Sequence, residues 1–133
     1  IESRVDPSDP LGPDVTEIAP HIRLIPQPVI AAVNGITVGA GLSIALASDI
    51  RIASPEALFS CMFVKRSLVP DAGCSYTLPN IVGMGVAMEM ALSGNIYDSK
   101  WALEKGLVNK VVNHKSLLDS AIGLANEING NPR

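Results

Sequence analysis

The sequence predicts an α/β fold in which strands and helices form alternating layers. Short apolar runs rich in β-branched residues, such as Val29–Val33, alternate with longer segments whose apolar residues recur at the helical period. Clusters of glycine and proline separate these segments. Continuous apolar runs are typical of buried parallel strands, so we expect helices to pack against a largely parallel sheet.

The first third of the chain supplies a linker, a helix, a strand and a buried helix. Residues 1–14 are rich in proline and acidic side chains and are predicted to form an irregular linker. A helix is predicted over residues 15–24, because apolar residues keep the helical spacing until Pro26. The strand Val29–Val33 then leads into a glycine-rich turn and a buried helix over residues 42–47.

The remainder continues the alternation. Strands are predicted over residues 49–53 and 57–61, whereas the pattern over residues 62–69 is ambiguous. After a turn at residues 70–73, we expect helices over residues 74–81, 86–92, 99–105 and 116–128, and short strands over residues 96–97 and 108–112. Asp98 or Ser99 is expected to cap the helix that runs through Lys105, and Ser116 and Asp119 resemble a capping box that begins the last helix. The predicted organisation is one domain, with a core over residues 15–112 and a terminal helix within residues 113–133.

Composition excludes several classes of protein. Of the 133 residues, 47% are hydrophobic and 17% are charged, and the net charge is −3. Since charged residues average about 25%, we expect apolar surface that packs on other protein, in a homo-oligomer for example. The negative charge argues against nucleic-acid binding. Glycines interrupt the longest apolar stretch, so no membrane span is predicted. The two cysteines lack metal-site spacing and are typical of reduced thiols in a cytoplasmic protein.

The Gly39-Ala40-Gly41 motif precedes the buried helix and is the first candidate functional feature. A helix N-terminus presents unpaired amide groups and the positive end of a dipole, which suit a carbonyl oxygen that becomes negative during a reaction. The alternative is that the glycines only permit close packing of helix and strand. The motif lacks a phosphate-loop lysine, and the third glycine of a dinucleotide-binding fingerprint is absent.

Three stretches of the chain resemble the crotonase (enoyl-CoA hydratase/isomerase) family, over residues 28–53, 68–83 and 87–112. The resemblance implies a spiral of ββα units, of which this chain would be the C-terminal-side half. It also implies an acyl-CoA substrate, no cofactor beyond the coenzyme A of that substrate, and assembly as a trimer or hexamer. The thioester oxygen would bind two backbone amides. One amide belongs to Ala40, flanked at the substrate by Gly39 and Gly41, and the other lies in a loop outside this chain.

The same resemblance assigns candidate catalytic and substrate-binding residues. The two glutamates of the family's hydratases match Ser43 and Phe63, which cannot do the same proton transfer but could still contact substrate. Asp71 lies in the sequence Pro-Asp-Ala-Gly, where a simple turn is one interpretation. An aspartate at this position is similar to the catalytic aspartate of ring-epoxide isomerases of phenylacetyl-CoA degradation and of 4-chlorobenzoyl-CoA dehalogenase. The resemblance therefore implies a catalytic role for Asp71.

Three functional hypotheses follow from these residues. The first is enoyl-CoA isomerisation through a stabilised enolate, with Asp71 as proton shuttle. The second is hydration, or another reaction of the family such as dehalogenation or hydrolysis, by groups outside the chain. The third is a catalytically silent subunit that binds coenzyme A or has a structural role. Because one oxyanion donor lies outside the chain, we expect these 133 residues alone to be inactive.

Overall fold

The computed structural model describes residues 15–132, so the predicted linker over residues 1–14 lies outside the described part. The α-helices are α1 (Val15–Arg23), α2 (Ala40–Ala47), α3 (Cys74–Val82), α4 (Met84–Ser93), α5 (Ser99–Glu104) and α6 (Leu117–Asn129). The strands are β1 (Ile30–Val33), β2 (Ile36–Val38), β3 (Ile50–Ala53), β4 (Leu58–Ser60), β5 (Tyr97–Asp98) and β6 (Lys110–Val111). Short 3-10 helices cover Met62–Arg66 and His114–Ser116.

The strands form two small sheets that are linked by successive ββα units. One sheet has the order β1-β3-β6 and the other the order β2-β4-β5. The pairs β1–β3, β2–β4 and β3–β6 are parallel, and β4–β5 is antiparallel. In both β1-β2-α2 and β3-β4-α3, the first strand enters one sheet and the second strand enters the other. The chain therefore winds as a spiral, and the predicted α/β class with largely parallel pairing is confirmed.

The main core lies between the two sheets and helices α2 to α5. Its largest fully buried side chains include Phe59, Leu42, Leu46, Met90 and Leu107. A second, smaller cluster forms where α6 packs on β1 and β3, and its buried members are Ile52, Leu117 and Ala121. The segment predicted as a terminal helix outside the core thus contributes a core of its own.

The sequence pattern did not predict β2 or the true start of α2. Strand β2 has three residues between Gly35 and Gly39, too few to display a two-residue period. It exists because β4 pairs with it, in register from Ile36 with Leu58. Helix α2 begins at Ala40, directly after the turn, where glycine at position 41 lowers the local helix propensity.

One predicted cap is present and one is wrong. Asp98 caps α5, because its Oδ1 accepts a hydrogen bond from the backbone N–H of Trp101 at 2.8 Å. Ser116 makes no such bond at the start of α6. Its hydroxyl instead donates to the carbonyl of Asn113 at 3.1 Å, within the preceding 3-10 turn. The expected capping box fails because that turn, which the Asn113 side chain caps, already leads the chain into α6.

Between residues 15 and 132, no helix has both the length and the apolar character needed to cross a bilayer.

Candidate functional site

The turn before α2 holds its backbone in a conformation that suits glycine. Gly39 has φ 53° and ψ −124°, which side chains disfavour. Its N–H donates to the carbonyl of Ser60 in β4 at 3.2 Å, and its carbonyl accepts from the N–H of Ser43 at 3.1 Å. Ala40 and Gly41 occupy the first turn, where amide groups have no acceptor inside the helix. The turn therefore presents two amides at the positive end of α2.

Close packing does not explain the glycines of this motif. A Cβ added at Gly39 or Gly41 would meet no atom of the described residues within 4 Å. Gly39 is required for its positive φ, whereas Gly41 is exposed with open space above its Cα. The space leaves room for a ligand at the amides of Ala40 and Gly41, and the packing interpretation of the motif is not supported.

Asp71 begins a tight turn with unusual backbone angles. Its carbonyl accepts the N–H of Cys74 at 2.8 Å, and the two central residues, Ala72 and Gly73, have φ values of 45° and 79°. These values are typical of a type I′ turn. A non-glycine residue in this region costs about 1–2 kcal/mol, so the conformation of Ala72 is held by its surroundings. Such strain is often found beside functional groups.

The Asp71 carboxylate has an uncommitted oxygen. Its Oδ1 is buried and has no hydrogen-bond partner among the described residues. Buried side-chain oxygens are bonded in the large majority of cases, so an exception calls for an explanation. An acceptor left free beside a strained turn is a candidate for receiving a proton or a ligand donor.

Ser43 joins the two features. Its side chain is buried, and its hydroxyl oxygen lies 3.4 Å from the carbonyl oxygen of Gly39 and 3.2 Å from that of Asp71. The glycine-rich turn and the Asp71 turn are therefore neighbours in space. The sequence proposed Ser43 as a substrate contact, which stays a prediction. The hydroxyl points into the protein, and sequence pattern alone could not reveal this bridge.

Phe63 lies in the 3-10 helix Met62–Arg66 and belongs to the main core, with 5% of its surface exposed. Its proposed substrate contact likewise stays a prediction. Within the described residues, Phe63 packs in the main core, and the 3-10 helix that carries it contacts α4. Ser43 and Phe63 occupy the two positions that match the glutamates of the family's hydratases, and neither residue has a carboxylate.

Two buried thiols lie behind the Asp71 turn. Cys61 and Cys74 are fully buried, and neither is in a disulfide. A hydrogen bond with Cys61, together with burial, raises the pKa of the Cys74 thiol well above its ordinary value. Cys74 is therefore a packed, unreactive thiol, although it begins helix α3.

The opposite end of α2 carries a cluster of charges. Arg51 is buried in β3 and donates from Nε to the carbonyl of Leu107 at 2.8 Å and from Nη1 to that of Ser48 at 2.6 Å. Arg23 pairs with Asp49 at 2.9 Å and also donates to the carbonyl of Ala47 at 3.3 Å. Burial lowers the pKa of Arg51, against the attraction of Asp49. The sequence pattern did not predict this cluster, although an arginine between two isoleucines, Ile50 and Ile52, was a signal.

An apolar groove of about 340 Å³ runs beside the Asp71 turn, between α3 and α4. Pro70 and Cys74, on either side of Asp71, are among its lining residues, with Leu68, Leu78 and Met88 farther along. A larger open cavity of about 570 Å³ includes Pro28 and Ile128 in its wall but neither Ala40 nor Asp71. From residue 15 to residue 132, no three His, Cys, Asp or Glu side chains are placed to hold a metal ion.

Comparison with known proteins supplies an independent view. The family model described as enoyl-CoA hydratase/isomerase matches residues 4–133. The 1,2-epoxyphenylacetyl-CoA isomerase of Escherichia coli is 38% identical over 98% of this chain and 53% of its own length. The (E)-benzylidenesuccinyl-CoA hydratase of Thauera aromatica is 41% identical over 86% of this chain and 44% of its own length.

A solved structure agrees with the fold. The probable enoyl-CoA hydratase/isomerase from Mycobacterium abscessus superposes with a TM-score of 0.85 at 36% identity, over 89% of this chain and 45% of that one. The match confirms the predicted spiral of ββα units as part of the crotonase fold. The chain spans about half the length of the curated relatives it matches.

Proposed function

Because this chain belongs to the enoyl-CoA hydratase/isomerase family, we propose that the whole protein containing it moves the double bond of an enoyl-CoA thioester. Asp71 is the proton shuttle, and the backbone amide of Ala40 is one of two donors to the thioester oxygen. Gly39 and Gly41 keep the approach to that amide open. The groove beside Asp71 gives an apolar acyl chain a surface on which to lie.

The proposed reaction is an isomerisation, in which substrate and product contain the same atoms and no oxidation or reduction takes place. The Asp71 carboxylate removes a proton from C2 of a 3-enoyl-CoA, and the electron pair moves to the thioester oxygen to form a dienolate. The amide of Ala40, with the second donor outside this chain, stabilises the negative oxygen. The Asp71 carboxylic acid then returns the proton to C4, which gives the conjugated 2-enoyl-CoA and restores the carboxylate. One carboxylate is sufficient, since the same group removes and returns the proton.

The observation that carries the proposal is the free Oδ1 of Asp71. A purely structural turn aspartate would bond its own backbone through its side chain. Here the turn is closed by the Asp71 carbonyl, and the buried carboxylate oxygen Oδ1 has no hydrogen-bond partner among the described residues. The bridge through Ser43 supports the assignment, because it keeps this carboxylate near the amide of Ala40.

The test is the Asp71→Asn variant of the whole protein, assayed with a 3-enoyl-CoA by the absorbance of the conjugated product. Asparagine preserves the shape but cannot accept the proton, so we expect kcat to fall by at least about 10²-fold. The matched control is Asp119→Asn, an exposed change of the same kind in α6. A folded Asp71→Asn protein with wild-type turnover would refute the proposal.

Hydration is the second candidate, and a specific observation favours it. Relatives that are 41% identical to this chain are hydratases. With Ser43 and Phe63 at the glutamate positions, the acid and base would have to come from residues outside this chain. Incubation with a 2-enoyl-CoA would then yield a 3-hydroxyacyl-CoA, detected by mass spectrometry, and Asp71→Asn would leave this reaction intact.

A catalytically silent protein is the third candidate, favoured by the burial of both Ser43 and Phe63. In that case acyl-CoA would raise the melting temperature of the whole protein, and neither double-bond migration nor hydration would be observed. Turnover of any acyl-CoA would exclude this candidate.

We also propose that the whole protein acts in the cytoplasm as a homo-oligomer, a trimer or hexamer, without a cofactor other than the coenzyme A of its substrate. Exposed apolar side chains on α6, Leu118 and Ile122, support an association surface. Light scattering coupled to size-exclusion chromatography measures the assembly directly, and a monomeric mass would contradict it.

A further inference from the structure

We propose that Ser43 is a positioning residue, whose hydroxyl fixes the Asp71 turn against the oxyanion turn at Gly39-Ala40-Gly41. The inference rests on the proposed function and deepens it. Ser43 occupies a position at which the family's hydratases carry a catalytic glutamate. In this chain the position holds the site together and does not exchange protons with substrate.

The placement of Ser43 follows from helix geometry. Side chains on an α-helix lean toward its N-terminus, so Ser43 in α2 reaches back over the first turn. A serine hydroxyl has one proton to donate. Bonding to the carbonyl four residues earlier is common, but the Gly39 carbonyl is the more distant acceptor at 3.4 Å, and we assign the proton to the Asp71 carbonyl at 3.2 Å. The contact with Asp71 is different, since it crosses to a separate element far away in the sequence.

The bridge acts on a specific peptide group. The carbonyl of Asp71 accepts from two donors, the N–H of Cys74 at 2.8 Å and the hydroxyl of Ser43 at 3.2 Å. This carbonyl belongs to the peptide that joins Asp71 to Ala72, whose φ is 45°. Loss of the Ser43 bond would free this peptide to rotate and relieve the backbone of Ala72, and it would let the whole turn, with the carboxylate of Asp71, shift away from α2. Two hydrogen-bond donors hold the Asp71 carbonyl more firmly than one donor would.

The Ser43 side chain is enclosed by protein. Its residue is 1% exposed, so the hydroxyl cannot turn toward solvent. The neighbouring Ser43 side chain also opposes the rise in the pKa of the buried Cys74 thiol. Ser43 therefore links α2, the Asp71 turn and the start of α3 inside the protein.

A positioning role predicts a particular kinetic signature. A displacement of about 1 Å in a catalytic group can reduce the rate about 10²-fold, whereas acyl-CoA binding depends on surfaces that Ser43 does not reach. We expect Ser43→Ala in the whole protein to lower kcat for 3-enoyl-CoA isomerisation by about tenfold to a hundredfold. KM should stay within about twofold of wild type, because the substrate contacts persist.

Ser99→Ala is the matched control. Ser99 is also buried, and its hydroxyl donates to the carbonyl of Pro55 at 3.2 Å, away from both turns. The two variants lose one buried hydroxyl each, so a general loss of stability should affect them alike. A Ser43→Ala protein whose kcat matches that of Ser99→Ala, or whose loss is confined to KM, would overturn the positioning role.

A second variant decides the question if Ser43→Ala does not fold. Ser43→Cys keeps nearly the same volume but has a weak hydrogen-bond donor. It should fold and show the same fall in kcat at unchanged KM, and wild-type turnover would refute the inference.

Asp71→Asn, measured in parallel, separates the positioning role of Ser43 from the proposed function. If it abolishes turnover while both Ser43 variants match Ser99→Ala, only the positioning role fails; if it retains turnover, the proposed function itself fails.

Discussion

At the C-terminal end of α2 the backbone carbonyls accept hydrogen bonds from two arginines, whereas at its N-terminal end no side chain of the described residues caps the amides. Arg51 reaches the carbonyl of Ser48 at 2.6 Å, and Arg23 reaches that of Ala47 at 3.3 Å. Gly39, at the other end, makes no side-chain cap, and the helix carries no acidic residue in its first turn. Both ends of α2 carry backbone groups that have no partner inside the helix, but among residues 15–132 only the carbonyls of the C-terminal end receive side-chain partners.

We call the C-terminal end of α2 the structural end, because its side-chain partners stabilise the fold. We call the N-terminal end the functional end, because it carries the amide assigned to the proposed reaction. Cations at the C-terminus complement the helix dipole, and hydrogen bonds to the last carbonyls stabilise the fold. An anionic side chain at the N-terminus would do the same, yet it would occupy the amide that the thioester oxygen needs. We expect changes at the N-terminal end to affect turnover and changes at the C-terminal end to affect stability.

The largest expected effect comes from removing the amide at the functional end. Ala40→Pro deletes this N–H at the first helical position, where proline is well tolerated. We expect turnover by the whole protein to fall about 10²–10³-fold, the range for losing one oxyanion donor, while the melting temperature stays close to wild type. Steady-state kinetics and thermal unfolding measure the two quantities.

Met84→Pro is the control for this change. It places proline at the first position of α4, which also follows a glycine, Gly83. Its melting temperature should stay close to wild type; because Met84 lines the apolar groove beside Asp71, turnover of Ala40→Pro is compared with the wild-type protein. If Ala40→Pro folds and is equally active, Ala40 does not supply an oxyanion donor, and the contrast between the two ends of α2 disappears.

The second largest effect is expected on stability, at the structural end of α2. Arg51→Met keeps an apolar chain of similar length but leaves the buried carbonyls of Leu107 and Ser48 without their partner. Since an unsatisfied buried acceptor costs about 1–3 kcal/mol, we expect the free energy of unfolding to fall by about 2 kcal/mol. Urea denaturation measures it, with the exposed Arg66→Met as control. Equal stability of the two variants would show that Arg51 does not secure this end.

The smallest effect concerns Asp49 and depends on pH. The N–H of Val29, with the hydrogen bond from Arg23, holds the pKa of Asp49 below its ordinary value. A carboxylate with a lowered folded pKa stabilises the protein above its unfolded pKa of about 4, and the contribution is lost as pH falls through the folded value. Because the ion pair is half exposed, we expect Asp49→Asn to cost about 0.5 kcal/mol at pH 7.

The measurement is urea denaturation of wild type and Asp49→Asn at pH 7 and again well below pH 4, where the two proteins should become equally stable. Glu127→Gln in α6 removes an exposed carboxylate and serves as the control for net charge. A difference that persists at the acidic pH would place its cause in packing and not in the charge of Asp49.

Local pattern was sufficient for some features of the fold and not for others. Strands β1 and β3 and the cap at Asp98 were predicted, because each depends on residues close together in the sequence. Strand β2 and the burial of Arg51 were missed, since both exist through contacts with distant segments. The missed features share one physical cause, namely partners that no short window contains.

The candidate site divides in the same way. The glycine-rich turn and Asp71 were located from the sequence and a family resemblance. The role of Ser43 as a bridge was not predicted, because the direction of its hydroxyl is set by the fold. The positive φ of Ala72 was equally hidden, since alanine carries no preference for that conformation.

The bond from Gly39 to Ser60 has a consequence for the order in which the protein acquires its activity during folding. The turn that presents Ala40 is anchored to β4, which pairs with β2 only after the chain has passed through α2 and β3. Parallel pairing across such a crossover forms more slowly than local structure. A newly made chain would therefore have its helices before the turn that presents Ala40 is anchored, and under the proposed function the site for the thioester oxygen would form only when the second sheet closes.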